Sequence, residues 1–163
     1  SEASPRDSMP PLTVAAAHSG NQPLVELFLE RGLKPPDHLP LQEALRTMKR
    51  QGDRYSRICD VLLAHGEYDL APILTGQARH EDIQATIWLL ARGADPSRRL
   101  KDGRTTLHLS ADRNSGTRVV GLLLDHGAEI SARDDLDHTP LFYARQSEKT
   151  RIVEFLLSRG AQE

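Results

Sequence analysis

Cysteine, aromatic residues and long apolar runs are scarce in this 163-residue chain. One cysteine, Cys59, cannot form an intramolecular disulfide, which favours a reducing intracellular compartment, either cytoplasmic or nuclear. No apolar run approaches the roughly 20 residues of a membrane-spanning helix, so we expect no membrane contact. With 4% aromatic residues and a net charge of -2, the chain lacks the basic, base-stacking surface that binds nucleic acid.

The N-terminal stretch SEASPRDSMPP has neither a basic start nor an apolar segment, and it lacks an initiator methionine. We therefore expect residues 1–8 to be a disordered tail or an expression remnant. Residues 9–163 are expected to form one folded domain, since 38% of the chain is apolar.

One pattern occurs five times in the chain. Each copy has a short apolar element, a helix-like run, a leucine-rich second run and a closing glycine. The copies are predicted over about residues 9–37, 38–69, 70–101, 102–135 and 136–163. They close at Gly32, Gly66, Gly93, Gly127 and Gly160, which are 34, 27, 34 and 33 residues apart.

The composition of each copy predicts two short helices that stack on their neighbours. Helices of roughly 8 to 12 residues are marginal in water, so no copy should fold alone. Glycine after each second helix favours a left-handed turn, and the histidine or arginine before it suits the negative end of the helix dipole. Thr105 and Thr139 are expected to cap the first helices that follow them.

The pattern TPL(H)xA followed by LLxxGA, with a period near 33, resembles the ankyrin repeat family over about residues 9–161. The resemblance is closest in the fourth and fifth copies, through Thr105, Leu107 and His108 and then Thr139 and Pro140. It implies an all-α solenoid of stacked helix-turn-helix units. It also implies that His108 forms a hydrogen bond tying adjacent turns together, and that partners bind a concave face of hairpin tips and first helices.

Spacing between the copies predicts irregularity in the N-terminal half. The third-to-fourth and fourth-to-fifth connections are long enough for the family's short hairpin loops, but the two earlier connections are not. In the second copy, LQEALRTMKRQ predicts a lengthened first helix, followed by a loop at GDRYS.

Catalytic chemistry finds few candidates, so we predict a chain that is not an enzyme and has no cofactor or metal. Cys59 lies in a leucine-rich helical run, where a buried structural role is favoured over a nucleophile. The seven histidines show no zinc-ligand spacing, and no glycine-rich phosphate loop occurs. Asp134, Asp135 and Asp137 are expected to lie in a solvated hairpin, and Trp88 is expected in the core.

The prediction is a protein-protein interaction module that binds a partner protein or peptide. Arg46, Arg79 and Arg113 fall at similar positions on successive first helices and suggest a basic strip for an acidic or phosphorylated segment. The candidate partner-binding residues are Arg46, Arg79, Lys101, Asp102, Arg104, Asp112, Arg113, Asp135, Leu136, His138, Tyr143, Gln146 and Ser147.

Several alternatives stay open. The charged residues can be merely solvated, and the basic stretch 98–104 can neutralise the acidic stretch 129–137 on the adjacent repeat. The chain can be a regulatory or targeting domain of a larger enzyme, or carry small-molecule or hydrolytic activity in the groove. The last helix, ending in LLSRGAQE, lacks a polar outer face, so we expect further repeats or another domain to cover it.

Overall fold

The computed structural model describes residues 12–32, 39–51 and 53–162, and these residues form ten α-helices and no β-strand. The predicted tail at residues 1–8 lies outside them. The helices are α1 (Leu12–Ser19), α2 (Gln22–Glu30), α3 (Leu39–Gln51), α4 (Asp53–His65), α5 (Leu70–Ala78), α6 (Ile83–Ala91), α7 (Thr106–Arg113), α8 (Arg118–Asp125), α9 (Pro140–Gln146) and α10 (Thr150–Ser158). The prediction of an all-α fold built from helix pairs is confirmed.

The helices belong to two compact units, one ending at Tyr68 and the other beginning at Asp69. In the first unit α1 packs on α3 and α2 on α4, so two helix pairs stack with their apolar faces together. Ala17, Val25 and Leu41 are completely buried in this core. Burial against a neighbouring pair supplies the stability that such short helices lack alone.

The second helix pair departs from the predicted arrangement. The lengthened first helix is confirmed, because α3 has 13 residues. The loop predicted at GDRYS is wrong, since α4 already begins at Asp53. Tyr55, Ile58, Cys59 and Leu62 are all buried and follow a helical i, i+3, i+4, i+7 spacing, so the apolar face of α4 extends one turn further back than the loop prediction allowed.

In the second unit the first helices α5, α7 and α9 pack on one another in order, and α6 packs on α8. The core contains one or more fully buried leucines from each helix pair, including Leu89, Leu107 and Leu156. Thr75 and Thr106 are also buried, and their hydroxyl oxygens lie 2.8 Å apart across adjacent repeats. This hydrogen bond satisfies two polar groups that would otherwise be costly to bury.

Two hairpin loops occur where they were predicted. The Leu100 amide donates to the Arg104 carbonyl at 2.8 Å, and the Asp134 amide donates to the His138 carbonyl at 3.0 Å. No hairpin separates α4 from α5, because α4 ends at His65 and α5 begins at Leu70. The first connection, also predicted to be short, includes residues 33–38, which lie outside the described residues.

The ends of the second helices follow the prediction in four of the five repeats. Gly32, Gly93, Gly127 and Gly160 have φ values of +76°, +83°, +91° and +92°. Gly66 is not in this left-handed region, so the prediction is wrong there. A Cβ on Gly66 would lie 2.7 Å from Cε2 of Tyr68, so a larger residue there would have to displace this ring.

The histidines before two of these glycines contact the helix ends, as expected. The Nδ1 atoms of His65 and His126 lie 2.8 and 2.9 Å from the carbonyls of Val61 and Leu122, one turn earlier. Because a carbonyl only accepts, each Nδ1 carries the proton and donates it. These side-chain bonds reinforce the last turn of each helix; the Leu122 carbonyl also accepts the His126 amide at 3.2 Å.

Candidate protein-binding surface

The two hairpins of the second unit contact each other directly. The Asp135 amide donates to the Asp102 carbonyl at 3.2 Å, and Arg99 pairs with the Asp135 carboxylate at 3.1 Å. Arg99 also donates to the Arg133 carbonyl at 2.6 Å. The predicted neutralisation between the basic and acidic loops is therefore confirmed at the Arg99–Asp135 pair, and it ties neighbouring hairpin tips together.

Gly103, at the tip of the first hairpin, makes that contact possible. Its φ is +73°, a conformation that other residues rarely adopt. A Cβ at this position would lie 2.6 Å from Nη2 of Arg99 and would also overlap the Asp135 carboxylate. The glycine is thus required by its own backbone and by the approach of the next hairpin.

Asp134 organises the second hairpin and corrects the expectation that all three hairpin aspartates are solvated. Its side chain is only 2% exposed. One carboxylate oxygen accepts the amides of Leu136 and His138, both at 2.9 Å, and the other accepts the Tyr143 hydroxyl at 2.6 Å. By contrast, the Asp137 side chain is 80% exposed. Asp134 thereby fixes the hairpin backbone to the first helix that follows it.

The pKa values of the pair reflect this arrangement. Burial raises the pKa of Asp134, but the hydrogen bonds from Tyr143 and from the His138 and Leu136 amides outweigh it, so the net pKa is below the usual range. The hydrogen bond to Asp134 raises the pKa of Tyr143 to about 12, with burial adding to the effect. Asp134 is therefore an anion and Tyr143 a neutral donor at neutral pH.

An aromatic cluster covers the base of this hairpin. The His138 and Phe142 rings stack with centroids 3.8 Å apart, and Tyr143 meets both edge-on. The Arg104 guanidinium lies over the Tyr143 ring at 5.6 Å. Arg104 also pairs with Asp102 at 2.6 Å. The hydrogen bond from Arg104 is the main cause that lowers the pKa of Asp102. Of these residues, Asp102, Arg104, His138 and Tyr143 were candidates from the sequence, whereas Phe142 was not.

Leu136, at the tip of the same hairpin, is 72% exposed. It is the most exposed large apolar residue among the described part of the chain. Lys101 and Asp135 are also exposed on the hairpin tips. Because the backbone that carries Leu136 is already fixed, it loses little conformational entropy when a partner binds.

His108 links adjacent repeats, as the family resemblance implied. Its Nδ1 accepts the Thr105 amide at 3.0 Å, so the neutral ring carries its proton on Nε2. That Nε2 donates to the His138 carbonyl of the next repeat at 3.1 Å. His108 is completely buried, and burial lowers its pKa. This bond holds the base of the second hairpin against α7.

The arginines predicted to form a strip are only partly brought together. Arg79 follows the last residue of α5 and Arg113 ends α7, and with His80 they line one cleft of about 260 Å³. Arg113 pairs with Asp112 at 2.9 Å, and Asp112 also accepts the Ser147 hydroxyl. Arg46 belongs to the first unit and pairs with Glu43 at 3.8 Å, so its place in a common strip stays a prediction. Gln146, at the end of α9, is exposed.

The last repeat presents apolar side chains to solvent. Phe142 is 38% and Leu157 42% exposed. Val153 of the last repeat is half-buried, whereas its counterpart Val120 in the fourth repeat is completely buried. Coverage of this surface by a further repeat or domain stays a prediction.

The remaining candidates occupy structural positions. Cys59 is completely buried and Trp88 is 5% exposed, which confirms their core assignment. The Arg92 guanidinium covers the Trp88 ring at 4.0 Å. Within the described residues, no three histidine, cysteine or acidic side chains are placed to hold a metal ion, and no helix there has the length and apolar character to cross a bilayer.

Comparison with known families agrees with this architecture. The family model for ankyrin repeats, in three copies, matches residues 74–163, which is more than half of the chain. The chain therefore belongs to the ankyrin repeat family. Ankyrin repeats are in general protein-protein interaction modules and are typically not catalytic.

Curated relatives share the repeats at low identity. An ankyrin repeat protein of Rickettsia felis is 29% identical over 51% of this chain and 22% of its own length. The ARF GTPase-activating protein Git of Drosophila melanogaster is 32% identical over 56% of this chain and 12% of its own. Protein fem-1 homolog A of Rattus norvegicus is 27% identical over 74% and 20%. The chain thus spans less than a quarter of each of these relatives, and the GTPase-activating role belongs to Git.

Proposed function

We propose that the chain binds a segment of a partner protein along the hairpin tips and the exposed sides of the first helices in its second unit. Leu136 is the central contact and inserts into the partner. The polar and aromatic rim around it consists of the candidates Lys101, Asp102, Arg104, Asp135, His138 and Tyr143. No bond is made or broken, and the chain acts by positioning its partner.

The observation that carries this proposal is the exposure of Leu136 on a hairpin that is fixed from below. Asp134 fixes the backbone of the tip through the amides of Leu136 and His138. Arg99 and Asp135 fix the tip against its neighbour. Binding residues that are already ordered lose little conformational entropy, so an apolar tip of this kind is suited to recognition.

The composition around Leu136 also supports a protein ligand. Tyrosine and arginine are enriched among the residues that dominate protein interfaces, and here the Arg104 guanidinium lies over the Tyr143 ring with both residues partly accessible. The exposed charges of both signs, Lys101 and Asp135, suit a polar rim around an apolar centre.

Because the sequence of the partner segment is not specified, the proposal is tested with peptides selected from a random-peptide display library. Peptides selected on the wild-type chain are then measured by fluorescence anisotropy against Leu136→Ala. Truncation of a central interface residue costs about 2 kcal/mol or more, so we expect affinity to fall roughly thirtyfold.

Leu27→Ala is the matched control. Leu27 is an equally large apolar residue that is 43% exposed on α2, outside the proposed surface. We expect selected peptides to bind Leu27→Ala with unchanged affinity. Peptides that bind Leu136→Ala as tightly as the wild type would overturn the proposed surface.

A further inference from the structure

The cleft between the first helices carries an uncompensated positive charge. Arg79, His80 and Arg113 line its volume of about 260 Å³. Among the residues that the structure describes, no carboxylate lies within ion-pair distance of Arg79, whose Nε contacts the His80 ring at 3.3 Å. Asp112 pairs with Arg113 at 2.9 Å. Two guanidinium groups against one carboxylate leave a net charge of about +1 on these three side chains.

The acidic residues next in sequence form no ion pair with Arg79 or Arg113 in the described part of the chain, because their carboxylates accept backbone amides. Glu81 accepts the backbone amides of Gly116 at 2.8 Å and Ser115 at 3.4 Å from the following repeat. Asp82 is buried and accepts the Ala85 amide at 3.2 Å at the start of α6. The carboxylates of the α5–α6 turn are therefore bound to backbone amides rather than to either arginine.

The shape and donor set of the cleft favour a phosphate over a carboxylate. A phosphorylated side chain has a charge of about -1.5 to -2 and three acceptor oxygens, whereas a carboxylate has one charge and two oxygens. Two guanidinium groups from different helices can both donate paired hydrogen bonds to the three phosphate oxygens. A water molecule occupies about 30 Å³ in the liquid, so the cleft has room for a phosphoryl group and several waters.

We propose that this cleft, which we call the Arg79/Arg113 pocket, binds a phosphorylated serine or threonine of the partner segment. The inference rests on the proposed function and gives it a chemical requirement. Arg79 and Arg113 are the phosphate ligands, and His80 lines the pocket beside Arg79. Phosphorylation of the partner thereby strengthens its binding to this chain.

A titration with a small probe tests the pocket separately from the hairpin surface. N-acetyl-phosphoserine-N-methylamide is added to the 15N-labelled chain while amide chemical shifts are followed by NMR. We expect saturable shifts in the turn after α5 and at the end of α7. The corresponding glutamate and unmodified serine amides should bind at least about tenfold more weakly, since a hydrogen bond to a charged group contributes about 1.5 kcal/mol or more.

Variants of the two arginines identify the ligands. Arg79→Gln and Arg113→Gln should each weaken binding of the probe about tenfold, and the two lysine variants should bind between them and the wild type because they keep charge but lose the paired donors. The arginines are exposed, so helical circular dichroism should be unchanged. Arg159→Gln is the matched control, because Arg159 also follows the last residue of a helix and is exposed outside the pocket.

Two results would overturn the inference: equal binding of the phosphoserine and glutamate probes, or probe affinity that survives both glutamine variants. Neither result would contradict the binding of selected peptides at Leu136, which is measured separately. Conversely, loss of the Leu136 effect would refute the proposed surface while leaving this titration unchanged, so the two failures are distinguishable.

Discussion

Replacing Asp134 by asparagine tests whether this buried carboxylate holds the second hairpin. The substitution keeps the shape of the side chain but removes its charge, and it places an amide donor opposite the Tyr143 hydroxyl, which is itself a donor at 2.6 Å. Two further hydrogen bonds, from the Leu136 and His138 amides, lose their charged acceptor. Since a hydrogen bond to a charged group stabilises more than a neutral one, we expect unfolding free energy to fall by about 2 kcal/mol.

Urea denaturation followed by circular dichroism measures this loss, with Asp137→Asn as the matched control. Asp137 lies in the same hairpin and pairs with Arg133 at 2.7 Å, but its side chain is 80% exposed. Exposed ion pairs contribute about 0–1 kcal/mol, and asparagine tolerates the left-handed φ of +65° at this position. Equal losses in the two variants would refute the anchoring role of Asp134.

The pH dependence of stability, compared between the wild type and Asp134→Asn, gives a second test. The pKa of Asp134 is lowered in the folded state, so its stabilisation is fully present above the unfolded value of about 3.9 and is lost as pH falls through the folded pKa. The difference in unfolding free energy between the wild type and Asp134→Asn should therefore shrink below about pH 4. A difference that stays constant down to pH 2 would contradict the assignment.

Two other substitutions probe the contacts between repeats. Gly103→Ala should destabilise the chain by about 1–3 kcal/mol in thermal unfolding, because the new Cβ is strained at φ +73° and overlaps the Arg99–Asp135 pair. Ordinary surface substitutions change stability by less than about 0.5 kcal/mol, and a loss of that size would be inconsistent with this contact. His108 has a lowered pKa in the folded state, so its contribution is complete above about pH 6.5 and is lost as pH falls below that value. In urea unfolding between pH 7 and 5, the wild type should therefore lose stability relative to His108→Gln, and parallel pH profiles would refute the role of the neutral ring.

Much of the fold could be predicted because its signals are local. The threonine before α9, the proline at its first position and the glycine after α10 act within a few residues of themselves, and the structure has them as predicted. The link from His108 to the next repeat was implied by the family pattern, which places a histidine at that position. The start of α4 was missed because glycine and aspartate suggested a turn, while the burial of Tyr55 decides the helix.

The candidate site was less predictable, since it depends on which of several similar residues is buried. Asp134 and Asp137 are alike in sequence, and the structure distinguishes them by the hydrogen bonds that Asp134 accepts from Tyr143 and from the Leu136 and His138 amides. Likewise, the sequence predicts corresponding helix positions for Arg79 and Arg113. It does not indicate that the Glu81 carboxylate accepts the Ser115 and Gly116 amides. Contacts across repeats, rather than local pattern, determine which charges remain accessible.

Hydrogen-deuterium exchange with a selected peptide bound tests the central claim most directly. Binding at the proposed surface should slow exchange of the backbone amides around Leu136 and at the neighbouring hairpin tip, with little change in α6, α8 and α10. Protection confined to those second helices, with the hairpin tips exchanging as in the free chain, would contradict the account.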